Sequence, residues 1–423
     1  MNASFDTDVL IIGAGPAGSA TAILLAAAGV RVVLVEQHAF PRQKVCGECL
    51  SAGALALLDE LGVGEDLRAL AAPEIRQVGW MGIERSVVAA FPRCASGAHP
   101  YGRAIGRDRL DTLLIGRARS LGVRVLQPAK VRHVTGTPGH FLCTVGLQVD
   151  AAAHRSSRAA ANQLWLARVV IDAHGSWEQG PQVDEPHPRP AALRTPPREA
   201  DLFAFKAIFV KSTLPPGLLP VIAFPGGYGG MVVADNGRTT LACCIRRDAL
   251  RLSRAGMPGA PAGLAVAATL RSCRGVAEAL ASAEQEGAWL SVGPIRPGIR
   301  VDGDADIFRV GNAAGETHPL IGEGINMALQ SARLVATRVS RLVDSRIDAS
   351  SLHAANRAYA KQWRAAFGSR LRYATWYAQM AMRPAWAGAL SGLLRTRPSL
   401  MTHAARWAGK ASAATLTVIE DGI

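Results

Sequence analysis

The most constraining feature of this chain is a run of glycines set between a strand and a helix. Asp8-Val-Leu-Ile-Ile12 is a short β-rich apolar run, as expected of a strand buried on both faces. Gly13-Ala-Gly15-Pro16-Ala17-Gly18 follows, then a helical stretch over 19–28 that stops at Gly29, and a second strand over 31–35 that leads into Glu36. This order makes a βαβ unit built for a dinucleotide. Gly13 permits the tight turn, Gly15 lets the backbone approach a pyrophosphate, and Gly18 allows the helix to pack closely on the strand. Pro16 and Ala17 lie in the turn as further cofactor-binding candidates, and the N-terminus of the helix that follows faces the phosphates. Glu36 is an acceptor for ribose hydroxyls.

The rest of the 423 residues is long enough for two or three lobes. Ser51 is placed to cap a helix reaching about residue 61, and 107–121 reads as a further helix. Strands are expected over 123–126, 141–149 and 164–171, with the Ala/Ser/Arg-rich 151–163 as a hairpin insertion. The stretch 180–198 carries six Pro and reads as a linker or surface loop. Strands over 203–210, 221–224, 228–234 and 239–246 suggest an antiparallel block with a hairpin turn at Asn236-Gly237. Residues 262–286 read as one helix, 307–310 as a short strand, 324–343 as a long helix, and the chain from 350 onward as helical. The expected fold is α/β. A discontinuous Rossmann-type domain takes 1–75, 100–178 and 300–350, an inserted antiparallel β-sheet substrate domain takes 76–99 and 179–299, and a C-terminal helical segment takes 351–423.

Composition excludes several classes. With 49% apolar and 19% charged residues the chain is not mainly disordered. Seven Cys, an odd number without framework spacing, point to a reducing, cytoplasmic setting. Asp6 and Asp8 argue against a signal peptide at the start of the sequence, and the longest apolar stretch, 17–30, is too short to span a bilayer. The net charge is +14, and residues 351–423 hold ten Arg/Lys against Glu420 and Asp421. Such a basic region suits an anionic membrane surface, an acidic substrate or nucleic acid, and equally a solvated helical face. Nucleic acid is not expected as a partner; a solvated helical face is the favoured reading, with peripheral membrane contact through the C-terminal helices left open beside it.

Later motifs narrow the cofactor. Arg107-Asp-Arg109-Leu-Asp111 opens a helix, Gly311-Asn-Ala-Ala-Gly315 forms a second glycine turn, and Pro319-Leu-Ile-Gly322-Glu-Gly324-Ile-Asn326 leads into the long helix. In this order, over roughly residues 6–397, the chain resembles the flavoprotein superfamily of aromatic-ring hydroxylases, geranylgeranyl reductases and flavin-dependent halogenases. The resemblance implies FAD, with its ADP part on the first βαβ unit. It implies that Arg107 reaches the phosphates and that the backbone at Val131 passes the adenine. The second turn usually reads Gly-Asp; here Gly311 is followed by Asn312, which can still hydrogen-bond a ribityl chain. Gly322, Gly324 and Ile325 would lie beside the flavin ring, with the helix dipole aimed at its N1/O2 edge.

The reaction is less sharply marked. Lys44-Val-Cys46-Gly47-Glu48-Cys49 resembles the Lys-x-Cys-Gly loop of the geranylgeranyl reductases. Zinc is disfavoured because no second Cys/His pair has suitable spacing. A redox dithiol and a tight loop with Cys46 packed beside flavin or substrate both remain open. Asp172-Ala-His174-Gly175 stands where hydroxylases carry an Asp-Gly pair that helps bind FAD and the nicotinamide donor. Asp172 would share the face of His174, which is either a catalyst or a structural residue ending the strand. Tyr228 keeps the first position of the prenyl-reductase pattern Tyr-x-Trp-x-Phe-Pro, but Gly230, Val232 and Val233 replace the rest. The halogenase Trp motif is missing, and the only Lys between Val45 and Lys206 is Lys130, on an unsuitable segment. Trp363, Phe367, Tyr373, Trp376, Tyr377 and Met380 form either a cavity wall or amphipathic surface, or the core face of a helix with a basic outer face.

These readings lead to an FAD-dependent monooxygenase that takes electrons from NAD(P)H and hydroxylates a lipophilic aromatic or polyketide-like secondary metabolite. Cys46, His174 and Tyr228 are the candidate catalytic residues, and no metal is expected. The alternatives are a reductase of isoprenoid or polyene double bonds and, from another class, a flavin-binding modifier or partner protein.

Overall fold

A computed structural model of the chain describes residues 5–84, 86–95, 98–147, 162–178, 180–184 and 196–409. Its first sheet grows from Thr7–Ile12, where Val9, Leu10 and Ile11 are fully buried, as an aliphatic run covered on both faces must be. This strand runs parallel to Val32–Val35 on one side and to Asn162–Asp172 on the other. Arg124–Leu126 extends the parallel sheet beyond Val32–Val35, and Phe308–Arg309 pairs with the end of Asn162–Asp172. A late piece of the chain therefore completes a sheet that its first residues began. The antiparallel strands Ala129–Thr137 and His140–Leu147 continue the sheet from Asn162–Asp172, and Gln182–Val183 pairs with Ala129–Thr137. Helices Pro16–Ala27, Arg107–Ser120 and Gly324–Val343 pack together over this sheet.

The second sheet has the order Glu284–Ile295, Leu202–Val210, Thr239–Arg246, Gly227–Val233, Leu218–Phe224, Gln77–Met81, Ser86–Ala90. Its pairs are antiparallel except one: Leu218–Phe224 runs parallel to Gln77–Met81. The expectation of a purely antiparallel block is corrected there, because Gln77–Met81 arrives from the other lobe rather than through a hairpin. Helices Ala262–Arg271 and Arg274–Ala279 cover one face of this sheet through Val266, Leu270, Cys273 and Val276.

The single helix expected over 262–286 is not formed. It breaks at Cys273, whose extended backbone caps the second helix, and Gly275 packs against Met81. Beyond it, Glu284–Ile295 is a 12-residue edge strand on Leu202–Val210. Sheet pairing overrides the helix propensity of its Glu-Gln-Glu start. The helix expected over 19–28 begins at Pro16, and helices Gly64–Leu70 and Arg247–Ala255 were not foreseen. Of the hairpin insertion expected over 151–163, residues 151–161 lie outside the described residues and Gln163 belongs to Asn162–Asp172.

Ala349–Ala381 opens with a capping box: Ser351 N–H donates to Asp348 Oδ1 at 2.9 Å, and Asp348 N–H to Ser351 Oγ at 3.0 Å. Trp363, Phe367, Leu371, Ala374 and Ala378 form its buried stripe, whereas Tyr373 and Trp376 face outward. The aromatic cluster read from the sequence is thus split between core and surface. Pro384–Thr396 and Ser399–Trp407 then lie on the far end of the second sheet. Trp80 Nε1 donates to Ser391 Oγ at 2.8 Å, and Thr402 Oγ1 to Ala90 O at 2.7 Å. Among the described residues, no helix is long and apolar enough to cross a membrane.

Candidate cofactor site

One cavity, about 1460 Å³ of space including its open mouth, brings most of the candidate residues together. Gly13, Gly15, Pro16, Ala17, Glu36, Cys46, Arg107, Val131, His174, Asn312, Gly322, Gly324 and Ile325 all line it. Gly18 and Gly311 stand just behind. A Cβ on Gly18 would sit 1.9 Å from Gly13 O, and one on Gly311 would sit 2.7 Å from Ala17 Cβ. The two glycine turns therefore press against each other at the sheet's end. Tyr228 is the exception. It is 1% exposed, does not line the cavity, and shares a hydrogen bond between its Oη and His318 Nδ1 at 3.2 Å.

The wall of the first turn is built for close approach. Gly13 has φ +97°, a region that favours glycine, and a Cβ there would meet Ala173 O at 2.6 Å. At Gly15, among the described residues, a Cβ would have only Arg107 Nη2 within 4 Å, at 3.7 Å. The Arg107 guanidinium thus overhangs the turn. Asp111, one helical turn on, holds it bidentately with both N–O distances 2.8 Å. Burial works against the Arg107 charge, but the Asp111 carboxylate more than offsets it and raises the pKa above its ordinary value. The Cys46 sulfur accepts from Glu48 N–H at 3.4 Å. Glu36 accepts from Ala14 N–H at 2.8 Å and from His38 N–H at 2.9 Å, which pins its carboxylate beside the turn.

The cavity wall is rich in cations. Arg42, Lys44 and Lys130 join Arg107 there. Burial, reinforced by Arg42, holds the Lys44 ammonium below its ordinary pKa, although Glu178 sits 3.0 Å away. Among the described residues, Arg42 Nε is buried without a hydrogen-bond partner. A glycine turn open to close approach, a helix N-terminus, an overhanging guanidinium and a buried unsatisfied Arg N–H together fit the pyrophosphate of FAD.

His174 Nδ1 and Asp172 Oδ1 are 2.5 Å apart, and Asp172 also accepts from His174 N–H at 3.2 Å. The two residues do share a face. Cys46 and Cys49 both line the cavity and are not joined by a disulfide.

Sequence reasoning assigned no role to Glu316, Glu48 or Lys206. Glu316 is buried at the second turn; its Oε1 accepts from Ser176 Oγ at 2.9 Å, Trp177 Nε1 at 3.1 Å and Asn312 Nδ2 at 3.3 Å. Arg300 Nη2 reaches its Oε2 at 3.2 Å. The acid of this turn therefore stands four residues after the position where it was looked for, and Asn312 serves it as a donor. Glu48 and Lys206 form a buried pair between the cavity loop and the second sheet. Each carboxylate is a single acid beside a glycine, Gly47-Glu48 and Gly315-Glu316, with no spacing that singles it out.

Comparison with known proteins agrees with this geometry. Residues 6–144 match the FAD binding domain family. The chain is 37% identical over 132 residues to a menaquinone reductase of Mycobacterium tuberculosis, a match covering 31% of each chain. It thus spans about a third of that relative's length. It superposes on a flavin-dependent halogenase with TM-score 0.63 at 25% identity, covering 88% of this chain and 66% of that one. The Pseudomonas putida p-nitrophenol 4-monooxygenase shares the fold with TM-score 0.66 at 15% identity, covering 97% of this chain and 99% of that one. Residues 6–144 thus match an FAD binding domain, and the chain as a whole has a fold that a flavin-dependent halogenase and a monooxygenase share.

Proposed function

We propose that the chain is a monooxygenase that uses reduced FAD and oxygen to hydroxylate a lipophilic aromatic or polyketide-like compound. The observation that carries the reading is the one cavity shared by both glycine turns, with Arg107 over Gly15 and the N-terminus of Gly324–Val343 opening into it. When bound there, FAD supplies the two-electron redox chemistry. The chain's residues bind and orient it: Arg42, Lys44 and Arg107 oppose phosphate charge, Glu36 offers acceptors to a ribose, and Gly322, Gly324 and Ile325 present backbone to the ring. Asp172 fixes His174 through Nδ1, leaving Nε2 as the nitrogen with which a donor or substrate can hydrogen-bond.

The second reading, reduction of isoprenoid or polyene double bonds, is favoured by the menaquinone reductase match and by the Lys44–Cys46–Gly47 loop on the cavity wall. The position of Tyr228 counts against it. The one kept residue of the prenyl-reductase strand pattern is packed on His318 rather than facing the cavity.

Anaerobic titration of the purified protein with NADPH, followed at the flavin's visible band, tests the reading. Bleaching of the band, then substrate-coupled oxygen uptake once air is admitted, is the expected result. Bleaching followed by saturation of a polyene without oxygen uptake selects the reductase. A flavin band that no donor bleaches selects a modifier or partner role.

A further inference from the structure

We propose that the three C-terminal helices dock the protein on an anionic phospholipid membrane. This goes beyond the redox reading and does not depend on it.

From Ala349 to Gly409 the sequence has nine Arg/Lys and no Asp or Glu. The stretch is helical almost throughout, so the charge lies on ordered structure rather than on a tail. Arg372, Arg383, Arg395, Arg397 and Arg406 are all exposed, and among the described residues none of the five is in an ion pair. Carboxylates of other segments pair with these helices nearer their start, as Asp304 does with Arg357, so the five unpaired arginines attract anionic headgroups.

Charge alone would describe a solvated face. The second observation is the company these arginines keep. Trp376 is 57% exposed, Trp386 53% and Trp407 73%, and Tyr373 is 56% exposed. The positions follow helical spacing. On Ala349–Ala381, Tyr373, Trp376, Tyr377 and Met380 stand at i, i+3, i+4 and i+7, beside the buried stripe of Ala374, Ala378 and Ala381. On Pro384–Thr396, exposed Trp386 and Leu393 are seven apart, while Leu394 is buried. On Ser399–Trp407, exposed Leu400 and Trp407 are again seven apart, while Met401 is buried. Each helix therefore spends one apolar stripe on the protein and presents a second, aromatic one outward.

The inner stripes are anchored by the Trp80–Ser391 and Thr402–Ala90 hydrogen bonds, so the outer ones stay outside. Exposed indole rings with arginines between them match the polarity of a lipid headgroup layer. There an aromatic body rests at the acyl boundary and a guanidinium meets phosphate. A nucleic acid would use the arginines but leaves Leu393 and Leu400 unexplained. A second copy of the chain would have to bring the five exposed, unpaired arginines of each protomer face to face.

The test is co-sedimentation of the full-length protein with vesicles of phosphatidylcholine alone or mixed with phosphatidylglycerol, alongside Trp376→Ser/Trp386→Ser/Trp407→Ser. The wild type should pellet with phosphatidylglycerol vesicles and stay in solution with pure phosphatidylcholine. Raising salt to about 0.5 M should weaken binding about tenfold or more. The triple variant alters only exposed side chains, so it should keep its circular dichroism and melting temperature while losing about tenfold or more in vesicle affinity. No pelleting of the wild type with anionic vesicles overturns the proposal. So does a triple variant that binds like the wild type, a dimer in sedimentation velocity that buries Trp407 and ignores vesicles, or retention on duplex DNA without vesicle binding.

Discussion

Lys206, 1% exposed in the middle of the second sheet, donates its ammonium to the Glu48 carboxylate of the cavity loop. Glu48 is 2% exposed, has φ +57°, and also accepts from Arg107 N–H at 2.9 Å and from Thr240 Oγ1. Lys206 Nζ reaches Gln43 Oε1 at 2.9 Å as well. One carboxylate thus ties together the loop that carries Cys46, the helix that carries Arg107, and two strands of the other lobe.

Removing one partner leaves the other charge buried. Lys206→Met and Glu48→Gln should each destabilise the fold by about 3–5 kcal/mol, and the double variant should recover much of that loss. Urea unfolding of the three variants reads this directly; additive losses would show that the two residues act separately.

Asn312 presents its amide to Glu316 at 3.3 Å. Asn312→Asp restores the acid usual in related turns but sets two carboxylates against each other at a buried site. FAD affinity should fall about tenfold or more, and Glu316→Gln in the same chain should recover it. Fluorescence titration of the apoprotein with FAD distinguishes repulsion from a simple need for an acid at 312, in which case Asn312→Asp alone would tighten binding.

The two central glycines should fail differently. Gly13→Ala strains a left-handed residue and drives a Cβ onto Ala173 O, so it should lower stability by about 1–3 kcal/mol. At Gly15 an added Cβ meets Arg107 Nη2 at an ordinary 3.7 Å and lies on the cavity wall, so Gly15→Ala should keep the melting temperature while FAD binding weakens. Melting curves and flavin content of the two purified variants separate these outcomes.

Burial holds the His318 imidazole down at about 4. Tyr228 meets it through Nδ1, and burial raises the Tyr228 phenol well above its ordinary value. Because the folded pKa lies below the unfolded one, the unfolded chain takes up the proton first as pH falls. Stability should be constant above about 6.5 and decline towards pH 4, by on the order of 2–3 kcal/mol. His318→Gln should flatten that part of the profile in urea midpoints measured across the range; an unchanged slope would place the titration elsewhere.

The parts legible in the sequence are those that local chemistry dictates. The strand 7–12, the glycine turn and the helix 324–343 follow from aliphatic runs, missing side chains and one uninterrupted amphipathic stretch. The helix misread over 262–286 shows the limit. Glu284–Ile295 is a strand because Leu202–Val210 offers it hydrogen bonds, a partner some eighty residues away. The same holds for the site. Gly13, Glu36 and Arg107 carry signals in their own neighbourhoods. Lys206 looks like any Lys in a strand until Glu48 is brought to it, and the distance between Tyr228 and the cavity depends on how the lobes pack. Asp172 ends its strand and His174 lies two residues beyond it, so the pairing read from strand alternation is made instead by Asp172 Oδ1 accepting from His174 N–H and meeting its Nδ1.

The strand Phe308–Arg309 closes a sheet begun at Thr7, and Gly311 presses on Ala17. On the ribosome, these partners emerge some three hundred residues apart. A nascent chain that has passed the second sheet holds the first turn without its counterpart, so the ring-side wall forms only once the segment from Phe308 to Ile325 has been made. Flavin retention is then a mark of a chain that has been made through Ile325, and a prematurely released fragment would be colourless.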